Sequence, residues 1–172
     1  LSDGSVSVKL NAVMLRGLND EQLPAWLDYI RQRPVSVRFI ELMQTGTNLA
    51  YFKQHHYRAE LLESELRAGG WVLQKAAADA GPAPDSSGRI GIIAPYSRDF
   101  CAGCNRLRVT STGDLRLCLF GNTGVPLRHL LQSDSQAAEL RACLTSQIGL
   151  KTIGHSLHTG DTGITPHLAS IG

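Results

Sequence analysis

Between Val6 and Leu15 hydrophobic and polar positions alternate: Val8, Leu10, Ala12 and Met14 fall on one side, Ser7, Lys9 and Asn11 on the other. A period of two predicts a strand with one buried face. At Asn19-Asp20-Glu21 the period changes, and Leu23, Trp26, Leu27 and Ile30 recur at the spacing of an amphipathic helix. Pro24 lies close to the start, where its missing N–H costs little, and Pro34 stops the helix. Val35 to Met43 reads as a second strand, again with an embedded charge, Arg38. Strand, helix and strand in succession make a βα unit that feeds a parallel sheet.

Gln44 to Asn48 reads as a loop, Arg58 to Ala68 as an amphipathic helix ended by Gly69-Gly70, and Trp71 to Gln74 as the start of another strand. Ala76 to Gly88 is rich in Ala, Gly, Pro, Asp and Ser and reads as a surface loop. Ile90, Ile92 and Ile93 mark a strand over Arg89 to Tyr96. Arg106 to Ser111 and Leu115 to Phe120 pair as a hairpin about Thr112-Gly113-Asp114. Pro126 to Leu131 and Asp134 to Ile148 read as helical, the latter with Leu140, Cys143 and Leu144 on its apolar face. From Gly149 the tail is polar and glycine-rich, and no internal repeat is visible.

The composition is that of a globular chain, 42% hydrophobic and 19% charged over 172 residues, enough for one ordinary domain or two small ones. No stretch is long and apolar enough to span a membrane, and a net charge of +2 does not argue for a nucleic-acid surface. Leu1-Ser2-Asp3-Gly4 has neither a start methionine nor a signal segment, so the chain reads as part of something longer. Four cysteines without a secretory signal favour metal binding or catalysis over a disulfide framework and suit a cytoplasmic protein.

Three of those cysteines follow a pattern: Cys101-Ala102-Gly103-Cys104, then thirteen residues, then Cys118. The predicted hairpin returns Cys118 toward the first two. Thiolates suit a soft metal centre. A structural zinc takes four protein ligands, and the fourth is open: Cys143 is expected on a buried helical face, and His129, His155, His158 and His167 lie downstream without finger-like spacing. A 4Fe–4S cluster on three cysteines would instead leave one iron for substrate. A zinc-ribbon-like module without catalysis is the alternative.

Arg106 and Arg108 flank Leu107 and, on a strand, point to one face, where guanidinium forks suit a triphosphate. Lys9 and Arg38 each interrupt an apolar strand, which is costly unless the charge is paired or faces a wet cavity. In a barrel of parallel strands such residues are expected toward the C-terminal mouth. Phe120 is the one aromatic of the Arg106 to Phe120 segment, too few for base stacking, so nucleic acid is not an expected partner.

At Asp99-Phe100-Cys101-Ala102-Gly103-Cys104-Asn105-Arg106-Leu107-Arg108 the chain resembles the molybdenum cofactor biosynthesis protein A family, the radical S-adenosylmethionine GTP 3′,8-cyclases. The resemblance extends through Phe120 and covers Lys9-Leu10-Asn11 with Val13, Arg38-Phe39-Ile40-Glu41-Leu42-Met43, Thr162-Gly163-Ile164 and Ser170-Ile171-Gly172. It implies the C-terminal half of such an enzyme, a lyase that starts the pterin of the molybdenum cofactor (molybdopterin) by joining ribose C3′ of GTP to guanine C8. The implied fold is α/β, the C-terminal part of an incomplete (β/α) TIM-like barrel over residues 1–75. A flexible loop over 76–88 and a small α+β region over 89–172, which binds the cluster and GTP, would follow.

By the same resemblance Cys101, Cys104 and Cys118 would hold a 4Fe–4S cluster whose open iron meets guanine. Lys9, Arg38, Arg106, Leu107 and Arg108 would bind GTP, and Met43 would contact S-adenosylmethionine. The implied partners are GTP, a second copy of the chain in a homodimer, and the next pathway enzyme, cyclic pyranopterin monophosphate synthase, through the product. The family's CxxxCxxC motif for a second 4Fe–4S cluster, which cleaves S-adenosylmethionine, is absent from this chain, so the chain alone is expected to be inactive. The family's terminal double glycine is matched here by the single Gly172.

Overall fold

The computed structural model describes residues 8–72, 88–98, 100–102, 104, 106–122, 124–151 and 154–168. They form two compact units, the first within Leu1–Met43 and Ala50–Pro95, the second within Gln44–Leu49 and Tyr96–Gly172. The expected loop over 76–88 lies, but for Gly88, outside the described residues, as do the end of the expected strand from Trp71 and the Ser170-Ile171-Gly172 terminus.

The first unit is built on a parallel sheet in the order β1 (Val8–Met14), β2 (Val35–Glu41), β3 (Arg89–Ile93). The register sets Lys9 beside Ser36, Asn11 beside Arg38 and Arg38 beside Gly91. Alternation gives the sheet two unlike faces. Met14, Val35, Val37 and Phe39 are buried together with Leu23, Leu27 and Ile30 of α1 (Leu23–Arg31) and Leu62 and Leu66 of α3 (Ala59–Ala68). Trp26 meets Phe39 edge-on at 6.3 Å, the favoured aromatic geometry. The other face carries the exposed Lys9, Asn11, Val13 and Arg38.

This sheet is open. Among the described residues its three strands do not close into a barrel, because closure takes about eight tilted strands. The expected α/β class holds. The Gln44 to Asn48 loop is as expected, but it leads into a helix, α2 (Leu49–His55), that the sequence reading left out. None of its residues is buried, so it has no apolar stripe for periodicity to detect.

In the second unit β4 (Arg108–Val109), β5 (Asp114–Arg116) and β6 (Val125–Pro126) form an antiparallel sheet in that order. Its core is Leu115, Leu127 and Leu130, against which Leu140, Cys143 and Leu144 of α4 (Ala137–Gly149) pack. The 3-10 turn Asp134–Gln136 that leads into this helix carries a capping box between Ser133 and Gln136, which satisfies amides that would otherwise lack partners. Arg128–Leu130, expected to be helical, forms a single 3-10 turn. Among the described residues no helix is long and apolar enough to cross a membrane.

Candidate functional site

Lys9, Arg38 and Met43 belong to the first unit. Lys9 and Arg38 share the face that the helices leave exposed, one register step apart diagonally. Gly91 stands beside Arg38, where a Cβ would meet the arginine Cγ at 3.4 Å, so glycine there leaves room for the long side chain. Lys9 is the second residue of β1 and Arg38 the middle of β2, so these two are not gathered at the C-terminal end of the strands as expected. Met43 does lie there, two residues beyond β2.

The three thiols and the arginine segment belong to the second unit. Cys101 and Cys104 form one turn, closed by the Cys104 amide donating to the Cys101 carbonyl at 3.1 Å. Cys118 lies two residues beyond β5, in the bend that its own carbonyl closes by accepting from the Gly121 amide at 3.3 Å. All three are free thiols, Cys104 exposed and the others half-buried. Burial raises the Cys101 thiol, and the neighbouring Cys118 and Cys104 raise it further, against help from the His155 amide and Lys151. Cys104 is lowered, first by the Arg106 amide, which outweighs the opposing cost of burial, with smaller help from Lys151 and the charge of Arg108. Cys101 therefore feels the other two thiols, and Cys104 feels two cations.

The hairpin is shorter than the sequence suggests. Only Arg108 and Val109 pair across it, with Arg116 and Leu115, so Arg106 and Leu107 precede the strand and their sides are not set by it. The Arg106 carbonyl is occupied elsewhere, accepting from Lys151 Nζ at 2.7 Å. Lys151 Nζ also lies 3.6 Å from Cys104 Sγ. Sequence reasoning missed this lysine, since nothing in a basic residue just past α4 shows that the helix delivers it to a turn 47 residues earlier.

Cys143 packs on the Leu115, Leu127 and Leu130 core, as its helical neighbours predicted. The His155 ring lies against Phe120 at 5.7 Å, Phe100 at 6.3 Å and His158 at 5.8 Å. Among the described residues no group of three or more His, Cys, Asp or Glu side chains is assembled to hold a metal ion. The donor set nonetheless suits an iron–sulfur cluster. Its irons take separate thiolates, so the sulfurs need not converge on one point as they do around zinc.

Thr165 is clamped to the bend that follows Cys118. Arg116 Nη2 donates to the Gly121 carbonyl at 3.1 Å and to Thr165 Oγ1 at 3.3 Å, while Thr165 Oγ1 donates to the Leu119 carbonyl at 2.6 Å. Gly163 fits against the same bend, with φ at +58°.

These features define an α/β protein whose antiparallel unit presents free thiols beside basic side chains, a setting for a soft metal group and an anion. Residues 35–157 match the family described as Molybdenum Cofactor Synthesis C. A protein of Stenotrophomonas maltophilia named GTP 3′,8-cyclase is 64% identical over 98% of this chain and 53% of its own length. Proteins of that name from Aeromonas hydrophila (53% identical, 100% of this chain, 52% of the relative) and Vibrio vulnificus (51% identical, 98% and 52%) match as well. The chain thus spans about half the length of the curated relatives it matches. No solved structure matches it. The chain belongs to the Molybdenum Cofactor Synthesis C family.

Proposed function

We propose that this chain is the GTP-binding part of a GTP 3′,8-cyclase of molybdenum cofactor biosynthesis, holding a 4Fe–4S cluster on Cys101, Cys104 and Cys118. The observation that carries the reading is the placement of three free thiols in one unit, Cys101 and Cys104 on one turn and Cys118 in the bend after β5, with Lys151 Nζ 3.6 Å from Cys104 Sγ. The cluster, when bound, supplies an iron with an open site for a nitrogen or oxygen of the guanine. The chain's own residues do the rest. Arg106, Leu107 and Arg108 bind the nucleotide next to the thiols. Lys9 and Arg38 add cationic contacts from the exposed sheet face of a barrel that this chain supplies in part, and Met43 contacts S-adenosylmethionine. The four cysteines leave no CxxxCxxC motif in this chain, so the radical step lies outside it. A homodimer in the cytoplasm that passes its product to cyclic pyranopterin monophosphate synthase belongs to the same proposal.

Anaerobic reconstitution tests it. Iron and sulfide in equal amounts, with the broad visible absorbance of a 4Fe–4S cluster, are expected for the protein and for Cys143→Ala, and their loss for Cys118→Ala. A colourless protein that takes up one zinc would refute the reading. Arg108→Ala should weaken GTP binding by about tenfold or more, the equivalent of the roughly 1.5–3 kcal/mol of a charge-assisted hydrogen bond.

A further inference from the structure

The Lys151 ammonium donates to two groups that lie two residues apart in the chain. It reaches the Arg106 carbonyl at 2.7 Å and the Cys104 sulfur at 3.6 Å. Among the described residues it forms no ion pair with a carboxylate. A surface lysine ordinarily leaves its ammonium in water and keeps its rotamer freedom, which is worth up to about 2 kcal/mol. Here that freedom is given up for a neutral carbonyl and a thiol. The placement is enforced from behind. Leu140, Cys143 and Leu144 seat α4 on the hairpin core, and the Lys151 amide closes the helix end on the Ile148 carbonyl at 3.1 Å. The lysine therefore reaches the thiol turn from just past the end of a packed helix.

We propose that Lys151 is a positioning residue of the thiol site: it ties Cys104 to Arg106 and stabilises the metal group held there. This rests on the reading of the thiols as cluster ligands. Two consequences follow from the geometry. Joining the Cys104 sulfur and the Arg106 carbonyl through one ammonium fixes the distance from the second metal ligand to the start of the nucleotide-binding segment. A cation hydrogen-bonded to a ligand sulfur also favours the more negative, reduced cluster and raises its potential. Partners of this kind typically carry 10–100-fold in metal affinity.

The test uses reconstituted wild type, Lys151→Met and Lys151→Arg. Lys151→Met keeps the stem and removes the charge, and it should release iron to a chelator roughly tenfold faster. Its midpoint potential, titrated with detection by electron paramagnetic resonance, should shift to a more negative value. Lys151→Arg, which keeps a cationic donor, should recover most of both. A Lys151→Met cluster that resists the chelator and titrates at the wild-type potential overturns the assignment. If wild type takes up no iron, the cluster reading itself fails. Amide exchange over residues 104–109 in metal-free protein then decides the positioning role: faster exchange in Lys151→Met supports it, and unchanged exchange overturns it.

Discussion

Gly163→Ala is the substitution whose cost can be worked most directly from the structure. A Cβ at this position would lie 2.3 Å from the Phe120 carbonyl oxygen and 2.7 Å from that of Gly121. Both are backbone atoms of the bend that follows Cys118, so no side chain can swing aside. The residue also sits at φ +58°, which costs a residue with a Cβ about 1–2 kcal/mol. Forcing a methyl into a filled space adds about 1–3 kcal/mol, for a total of roughly 2–5 kcal/mol. Gly160→Ala separates the two contributions. Gly160 has φ +81°, but its nearest atom is Gln44 Nε2 at 3.9 Å, so only the backbone cost of about 1–2 kcal/mol applies. Both tryptophans, Trp26 and Trp71, lie in the first unit, so intrinsic fluorescence would not report on this one. Amide exchange in α4 and the β4–β5 hairpin, followed against urea, does. Gly163→Ala should lower protection there well below Gly160→Ala and speed iron loss from the Cys118 bend. Equal protection in the two variants would show that the 161–165 segment does not lie on that bend.

Thr165→Val replaces a 1% exposed hydroxyl that donates to Leu119 and accepts from Arg116. Leaving a buried guanidinium with one partner fewer should cost about 1–3 kcal/mol, read from the same exchange experiment, and a neutral outcome would discount the clamp. In the first unit Glu41 is 3% exposed, with one oxygen 2.8 Å from His56 Nε2 and the other without a well-formed hydrogen bond. Burial raises its carboxyl above the usual 4.5, against hydrogen-bonding and electrostatic help from His56 and the Ala59 amide, with Glu60 adding a smaller push upward. A raised folded-state value means stability that is fully present below about 4.5 and lost as pH climbs through that higher value. Glu41→Gln removes the titration, so tryptophan-monitored unfolding should show the variant gaining on wild type as pH rises from below 4.5 toward neutrality. Parallel pH profiles would contradict it.

Legibility in the sequence followed periodicity. Lys9 and Asn11 alternate with Val8, Leu10 and Ala12, and Leu23, Leu27 and Ile30 repeat at helical spacing, so β1 and α1 were readable from burial alone. The two residues of β4 were not. Their extent is set by which carbonyls are free to pair, and Lys151 claims that of Arg106 from 45 residues away. The cysteines were visible as a motif because thiol chemistry needs few residue types. Lys151 and Arg116 were invisible because a basic residue acquires its role from what the fold sets beside it. The barrel expectation was carried by resemblance, and a chain with three parallel strands among its described residues supplies too few to close one.

Arg116 shows how the unseen residues complete the site. It stands directly across from Arg108, the relation in which like charges disfavour a strand pair. It is 7% exposed, and among the described residues its side chain meets the neutral oxygens of Gly121 and Thr165 and leaves Nε without a partner. The carboxylate two residues away on the same strand, Asp114, is already engaged by the Thr112 hydroxyl at 2.6 Å and that of Thr110 at 3.4 Å. A buried cation with no carboxylate against it among the described residues is expensive, and a second cation opposite it makes it more so. A hairpin arranged in this way gains stability from negative charge on that face. On the proposed function both anions of the site supply it, the thiolate-bound cluster after β5 and the nucleotide phosphates at Arg106 and Arg108. Ligand binding and the stability of the second unit are then linked: whatever the anions gain from the arginines, the hairpin gains in return.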